Sequence, residues 1–523
     1  MPSRWLFQLA AAATLSAAGS PPGTSLIDAV KQQNLSAARA RIAAHSDVNA
    51  TETDGLTALH WAAQRNNLEL VDLLIAAGAD VKAASRYHVT PLYLACNNGN
   101  SAIVERLIAA GADPNEVSLE GQTALMTGAA SGNPDVVRFL LKRGADANAI
   151  EPSRGQTALM WASAQGNAPA VEELIEFGAH VATKSRSGFT PLLFAVRNAH
   201  VEAVKTLLKH GANVNDVAPD GTNALNMAVV NAYFELASVL LDAGADPNMS
   251  DPRGSALHTI AWLRKPGTDG AAGVGNTPHG PPPPTGDMSA LDLARKLLAK
   301  GANPNARIDW KEPRFGKEGG TARNPPNIQL GRHFLSYRGA TPFYVAAKNG
   351  DYQYMRVLLD AGADGKIPTL VGITPLMAAA GLDYWEGEAP GPFAGVSEAE
   401  RLEAVKLAID AGNDVNAQAD FGNYPMTGDP EYTLLFYPHN IDDLLDLGVG
   451  DPRWNGSTPM IGAVISDQPS LVQYLLDHGA RPDTKTKLGW TPLMVAEGIF
   501  FANAKKEYPA AAELIRKALT NSR

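Results

Sequence analysis

Eleven histidines, a single cysteine and several acidic clusters are the residues of this chain with chemistry to offer, and their spacing decides whether they can use it. His258, His279, His333, His439 and His478 are scattered, and none belongs to an HxxxH or HExxH pair that would set two imidazoles on one helix face for a metal. Glu386 with Glu388, Glu398 with Glu400 and Glu403, and Asp442 with Asp443 and Asp446 are close enough in sequence for acid–base work, but they fall in segments that read as solvated loops and helix faces. Cys96 stands alone, which excludes an internal disulfide, a CxxCH haem attachment and a four-cysteine zinc site. No GxSxG elbow supplies another nucleophile. Gly270 to Gly275 follows no strand, and Phe315-Gly316-Lys317 lacks the spacing of a phosphate loop. The residues argue against an enzyme and call for no cofactor and no metal.

Binding chemistry is better represented. Trp310, Arg332, Tyr384, Trp385, Phe393, Asp429, Tyr432, Phe436 and Tyr437 stand in irregular segments, and large aromatic and charged side chains of this kind anchor interfaces. A second reading has Asp429, Glu431 and Tyr432 converge with Trp385 and Arg332 in one cleft, as an enzyme or small-ligand site.

The elements that must position these residues follow a period. GLTALHWAA at 55–63 is echoed by VTPLYLAC at 89–96, GQTALMTGAA at 121–130 and GQTALMWASA at 155–164. Thr57, Thr90, Thr123, Thr157 and Thr190 mark the unit, Asn223 and Ser255 continue it, and it resumes at Thr341, Thr374, Tyr424, Thr458 and Thr491. This reading gives twelve repeats and a half-repeat from Leu26 to Ala50. A second string, such as Gly78-Ala79-Asp80, Gly144-Ala145-Asp146 or Gly301-Ala302-Asn303, keeps fixed phase with the first. A Thr hydroxyl caps the first helix of each unit, and Pro at the next position loses no needed donor. Apolar residues at helical spacing predict a helix pair, and the tail Gly supplies the left-handed residue that ends the second helix. One pair cannot bury both faces of its helices, so units gain stability by stacking.

These residues resemble the ankyrin-repeat family, with its T-P-L-H-x-A core and G-A-D-x-N tail. The resemblance implies an all-α solenoid of about twelve helix-turn-helix units joined by hairpin turns, with a concave surface that binds a protein partner. It also implies that His60 and His258, at the fourth position of the core, bond back within the turn. The string GWTPLMVAEGIFFANAKKEYPAAAELIRKAL is similar to the C-terminal repeats of bacterial exported ankyrin proteins, some of them associated with periplasmic redox enzymes, which makes a periplasmic enzyme the implied kind of partner.

The period is regular over 24–262 and interrupted over 263–523, with insertions at 264–287, 307–338, 381–398 and 498–509. Arg4 before the apolar run Trp5 to Leu15, followed by small residues to Ser20, reads as a signal peptide over 1–18, and hence as a periplasmic or secreted product. Retention of those residues would instead make the chain a cytoplasmic or translocated effector. With 44 Lys+Arg against 54 Asp+Glu, the net charge of −10 argues against nucleic acid as a partner. No apolar run is long enough to span a membrane, and a monomer is expected.

Overall fold

The marker residues cap helices. Thr57, Thr90, Thr123, Thr157, Thr190, Asn223, Thr341, Thr374 and Thr491 each precede a helix, and each side-chain oxygen accepts the amide hydrogen three residues on. Each such cap stabilises its helix by about 1 kcal/mol relative to alanine. Pro91, Pro191, Pro342, Pro375, Pro459 and Pro492 open their helices, where no amide is needed.

The computed structural model describes residues 25–251, 254–264, 284–308, 338–382, 396–420, 455–499 and 507–521. The chain divides into two compact units, Met1–His180 and Val181–Arg523. Within the first, inner helices Ala58–Gln64, Pro91–Asn97, Ala124–Ser131 and Ala158–Gln165 stack side by side, each paired with an outer helix such as Leu68–Ala76. Leu59, Leu70, Leu74, Leu92, Ile103 and Leu107 are fully buried between successive layers. What the sequence presented as a half-repeat is a complete pair, Leu26–Lys31 and Leu35–Ala43, opened by a reciprocal capping box between Ser25 and Asp28.

The second unit follows the same plan from Pro191–Arg197 to Pro509–Asn521. A two-residue strand pair, Ser250–Asp251 with Gly254–Ser255, is a small departure from an all-helical chain. The helix Pro375–Ala379 packs directly on Pro459–Ile465, and Glu398–Asp410 on Pro469–Asp477. The Ser466 hydroxyl donates to the Ala380 carbonyl (3.2 Å), and a Cβ at Gly462 would meet the Leu382 amide nitrogen at 2.7 Å. Among the described residues no layer separates the units that begin at Thr374 and Thr458. The repeat counted from Tyr424 lies outside the described residues.

Asparagines lock neighbouring layers together. Asn115 accepts the Asp146 amide (2.8 Å) while its Nδ2 donates to the Gly144 carbonyl (2.9 Å), and Asn148 does the same to His180 and Gly178 (both 2.9 Å). In the second unit Asn248, Asn305 and Asn416 repeat the arrangement toward Gly301, Gly362 and Gly479. One amide thereby satisfies a carbonyl left open at a helix end and a turn amide of the next layer. The Asn416 clamp reaches Gly479 across 63 residues of chain, so it independently fixes the Thr374 and Thr458 units as neighbours.

A candidate partner-binding surface at the hairpin row

A hairpin joins each layer to the next, built from one backbone rule. The residue five before the marker donates to the carbonyl just before the marker, and the Gly two before the marker donates back, as in Ser185 to Phe189 and Gly188 to Ser185 (both 2.9 Å). This Gly has positive φ, +72° at Gly188, and a side chain there would strain the backbone and strike Pro219.

Both long insertions between layers obey this rule at their bases. Ile308 donates to Ala340 (2.9 Å) and Gly339 to Ile308 (2.7 Å), while Ala419 donates to Ser457 (2.9 Å) and Gly456 to Ala419 (2.8 Å). Residues 309–338 and 420–455 thus stand where Arg186-Ser187 stand in an ordinary tip. Successive hairpins are also tied tip to tip: Leu370 donates to Arg338 (2.9 Å), Asp420 to Val371 (3.3 Å) and Lys487 to Asn455 (2.9 Å). The first unit has the same row, with Arg86 donating to Asp54 (2.7 Å) and Leu119 to Tyr87 (3.3 Å).

The row carries the large exposed apolar side chains. Tyr87, Val117, Leu119 and Ile150 lie along it in the first unit and Leu370 in the second, each more than half exposed. Val117 and Ile150 hold the same place in successive units, immediately before the hairpin, and Leu119 lies in the turn at its tip. Phe177 and Met494 are exposed away from these places. Solvent-facing residues of this size, repeated in register, are the sort of surface that binds another macromolecule.

In several units a polar joint lies between the hairpin and its inner helix. His60 Nδ1 accepts from the Thr57 amide (3.0 Å) and hydroxyl (2.8 Å), while Nε2 donates to the Val89 carbonyl (3.0 Å) of the next hairpin. His258 repeats this with Ser255 (3.1 and 3.0 Å) and Ala340 (3.2 Å), so both histidines serve the turn, as the resemblance implies. Burial holds the His258 imidazole down to about pH 4 and lowers that of His60. Asn226 fills the same place with a donation to the Gly254 carbonyl (3.2 Å). Tyr93 fills it by donating to Gln122 Oε1 (3.0 Å), and the nearby Thr90 hydroxyl donates to Glu116. Burial pushes the Glu116 carboxyl up to about 7. Sequence reasoning passed over Glu116, whose place is taken by Ala83 and Ala149 in neighbouring units.

Cys96 is fully buried, and burial pushes its thiol well above its ordinary value, so it is no nucleophile. Among the described residues no group of three His, Cys, Asp or Glu side chains is arranged to hold a metal, and no helix is long and apolar enough to cross a membrane. Glu400 closes a capping box with Ser397.

Trp310, Arg332, Tyr384, Trp385, Phe393, Asp429, Tyr432, Phe436 and Tyr437 all lie outside the described residues, as do residues 1–24. The bases of their segments are described. Those of Trp310 and Arg332, and of Asp429 to Tyr437, leave from the hairpin row. That of Tyr384, Trp385 and Phe393 leaves between Leu382 and Val396, at the far end of the inner helix.

Comparison with known proteins finds repeats of one kind along the chain. The family description "Ankyrin repeats (3 copies)" matches residues 26–118, 95–185 and 159–251, and "Ankyrin repeat" matches 338–369. The ankyrin repeat protein YahD of Escherichia coli (strain K12) is 28% identical over 164 residues, covering 30% of this chain and 73% of that protein. The human ASB11 ankyrin repeat domain, a crystal structure, is 26% identical, with 47% of this chain and 98% of that one covered at a TM-score of 0.38.

Proposed function

We propose that this chain is an ankyrin-repeat protein and an exported scaffold that holds a protein partner through its hairpin row and adjoining inner-helix faces. Ankyrin repeats generally mediate protein–protein interaction, and no catalytic family is indicated. The observation that carries the reading is the hairpin row: ordered backbone, large exposed apolar side chains in register, and two long aromatic-bearing insertions leaving from its tips. Trp310, Arg332, Asp429, Tyr432, Phe436 and Tyr437 are the anchors assigned to those insertions. Tyr384, Trp385 and Phe393 are assigned a separate contact at the other end of the helices.

The segment bases favour this over an enzyme or small-ligand pocket near 429–437. A pocket joining Asp429 to Trp385 would have to draw together chains that leave from opposite ends of an inner helix. Export rests on the Arg4-to-Ser20 pattern, and a periplasmic enzyme is the partner class that its resemblance to exported ankyrin proteins favours.

Cross-linking and affinity capture of the intact chain from its own cell envelope tests the reading, with mass spectrometry of the mature amino terminus. One stoichiometric protein partner and a terminus after Ala18 are expected. Recovery of the chain alone at every concentration would sink the scaffold, and retention of Met1 would sink export.

A further inference from the structure

The residue just before the hairpin base behaves differently where an insertion is carried. Arg307 Nε donates to the Gly339 carbonyl (2.9 Å) and its Nη2 to the Pro368 carbonyl (2.7 Å) of the next hairpin. Gln418 occupies the same place one insertion later, and its Nε2 donates to Gly456 (2.9 Å) and Lys485 (2.9 Å). Gly339 and Gly456 are equivalent, as are Pro368 and Lys485. Two unlike side chains therefore reach the same pair of acceptors. In hairpins with an ordinary two-residue tip the place is held by Ala84, Val117, Val217 or Pro368, which have no side-chain donor, or by Thr51, Lys184 or Lys485.

Closing a long loop costs more chain entropy than closing a two-residue tip, so a two-bond ladder that suffices for Ser185 to Phe189 is loaded more heavily at Ile308 and Ala419. A side chain that ties the closing Gly to the next hairpin resists that load. It also joins each base to the short hairpin Thr369–Ile373 or to Thr486–Trp490, whose own ladders are closed. Through Leu370 to Arg338 and Asp420 to Val371, the two insertion bases flank that single short hairpin and its exposed Leu370.

We propose that Arg307 and Gln418 are positioning residues, braces that hold the bases of the two insertions one hairpin apart on the same edge, on either side of the exposed Leu370. The proposal rests on the scaffold reading for the partner, but the braces themselves are testable without one. Amide exchange of the full chain is the measurement, read at Gly339, Leu370 and Gly456, with the helices Ala256–Arg264 and Pro469–Asp477 as fold controls.

R307A should speed exchange at Gly339 and Leu370 about fivefold to tenfold, and Q418A at Gly456 by a similar factor, the worth of one or two lost hydrogen bonds. The controls should stay unchanged. Because the two places are equivalent, R307Q and Q418R should restore slow exchange, an outcome that loss of bulk or charge does not predict. Exchange in the alanine variants within twofold of the parent, or rescue variants as fast as alanine, would overturn the braces. If R307A also loosens the control helices, R307Q decides alone: it must keep Gly339 slow. Failure of the intact chain to capture any partner would sink the scaffold and leave the exchange result to judge the braces.

Discussion

His258 turns acid into a local loosening of the second unit, and the effect has a calculable sign and size. The imidazole is neutral in the fold, with Nδ1 accepting from Ser255 and Nε2 donating to Ala340. Burial lowers it from 6.5 to about 4, against the pull of the Ala340 and Ala306 carbonyls. A base depressed in the fold stabilises it above its unfolded value, and that stability is lost as pH falls from 6.5 toward 4. At about 1.4 kcal/mol per pH unit the joint stands to lose about 3 kcal/mol, roughly two orders of magnitude in its opening equilibrium.

The chain itself suggests the control. Asn226 holds the equivalent place and donates to the equivalent carbonyl, of Gly254, without titrating. His258→Asn should keep much of the joint and remove its pH dependence. Amide exchange, corrected for intrinsic rate, in peptides covering 254–264 and 338–348 is the assay. The parent should lose protection below pH 6.5 and the variant should not. Equal pH dependence in both would refute the account.

Three further outcomes follow from neighbouring geometry. Glu116 has the opposite sign: an acid raised to about 7 stabilises the fold most below its unfolded value near 4.5 and loses that contribution as pH rises through 7, so Glu116→Gln should flatten exchange at Tyr93 between pH 5 and 8. Asn248→Ala removes the bonds to Asn303 and Gly301 and should cost about 1–2 kcal/mol in urea unfolding of the second unit. Trp61→Phe loses the Nε1 donation to Glu52 (2.7 Å) and should destabilise by about 1 kcal/mol, whereas the buried Trp161 Nε1 has no acceptor, so Trp161→Phe should be neutral or stabilising. Thermal unfolding of the two variants side by side checks the contrast.

The capping threonines were legible because a cap is local chemistry: a hydroxyl and an amide three residues apart. The insertion at 307–338 was legible because it interrupts a count, whereas 420–455 keeps the count and was read as a repeat. The repeat counted from Tyr424 lies outside the described residues, and the units beginning at Thr374 and Thr458 meet directly, a contact that a count along the chain does not reveal. The asparagine clamps and the braces were not legible, because Asn416 and Gly479, or Arg307 and Pro368, meet only after the layers stack. Glu116 was hidden in the same way, as its unusual carboxyl is a product of burial. The aromatic anchors remain a reading of composition, since their segments lie outside the described residues while their bases do not.

The central claim is that two hairpin tips have been lengthened into partner-binding arms without adding a layer to the stack. Replacing 309–338 and 420–455 each by Arg-Ser, the tip found at 186–187, tests it most directly through partner capture with helical circular dichroism read on the same sample. The account predicts a folded protein whose unfolding midpoint is close to the parent's and which no longer retains the partner. Loss of helical signal beyond the residues removed, or undiminished capture by a folded variant, would contradict it.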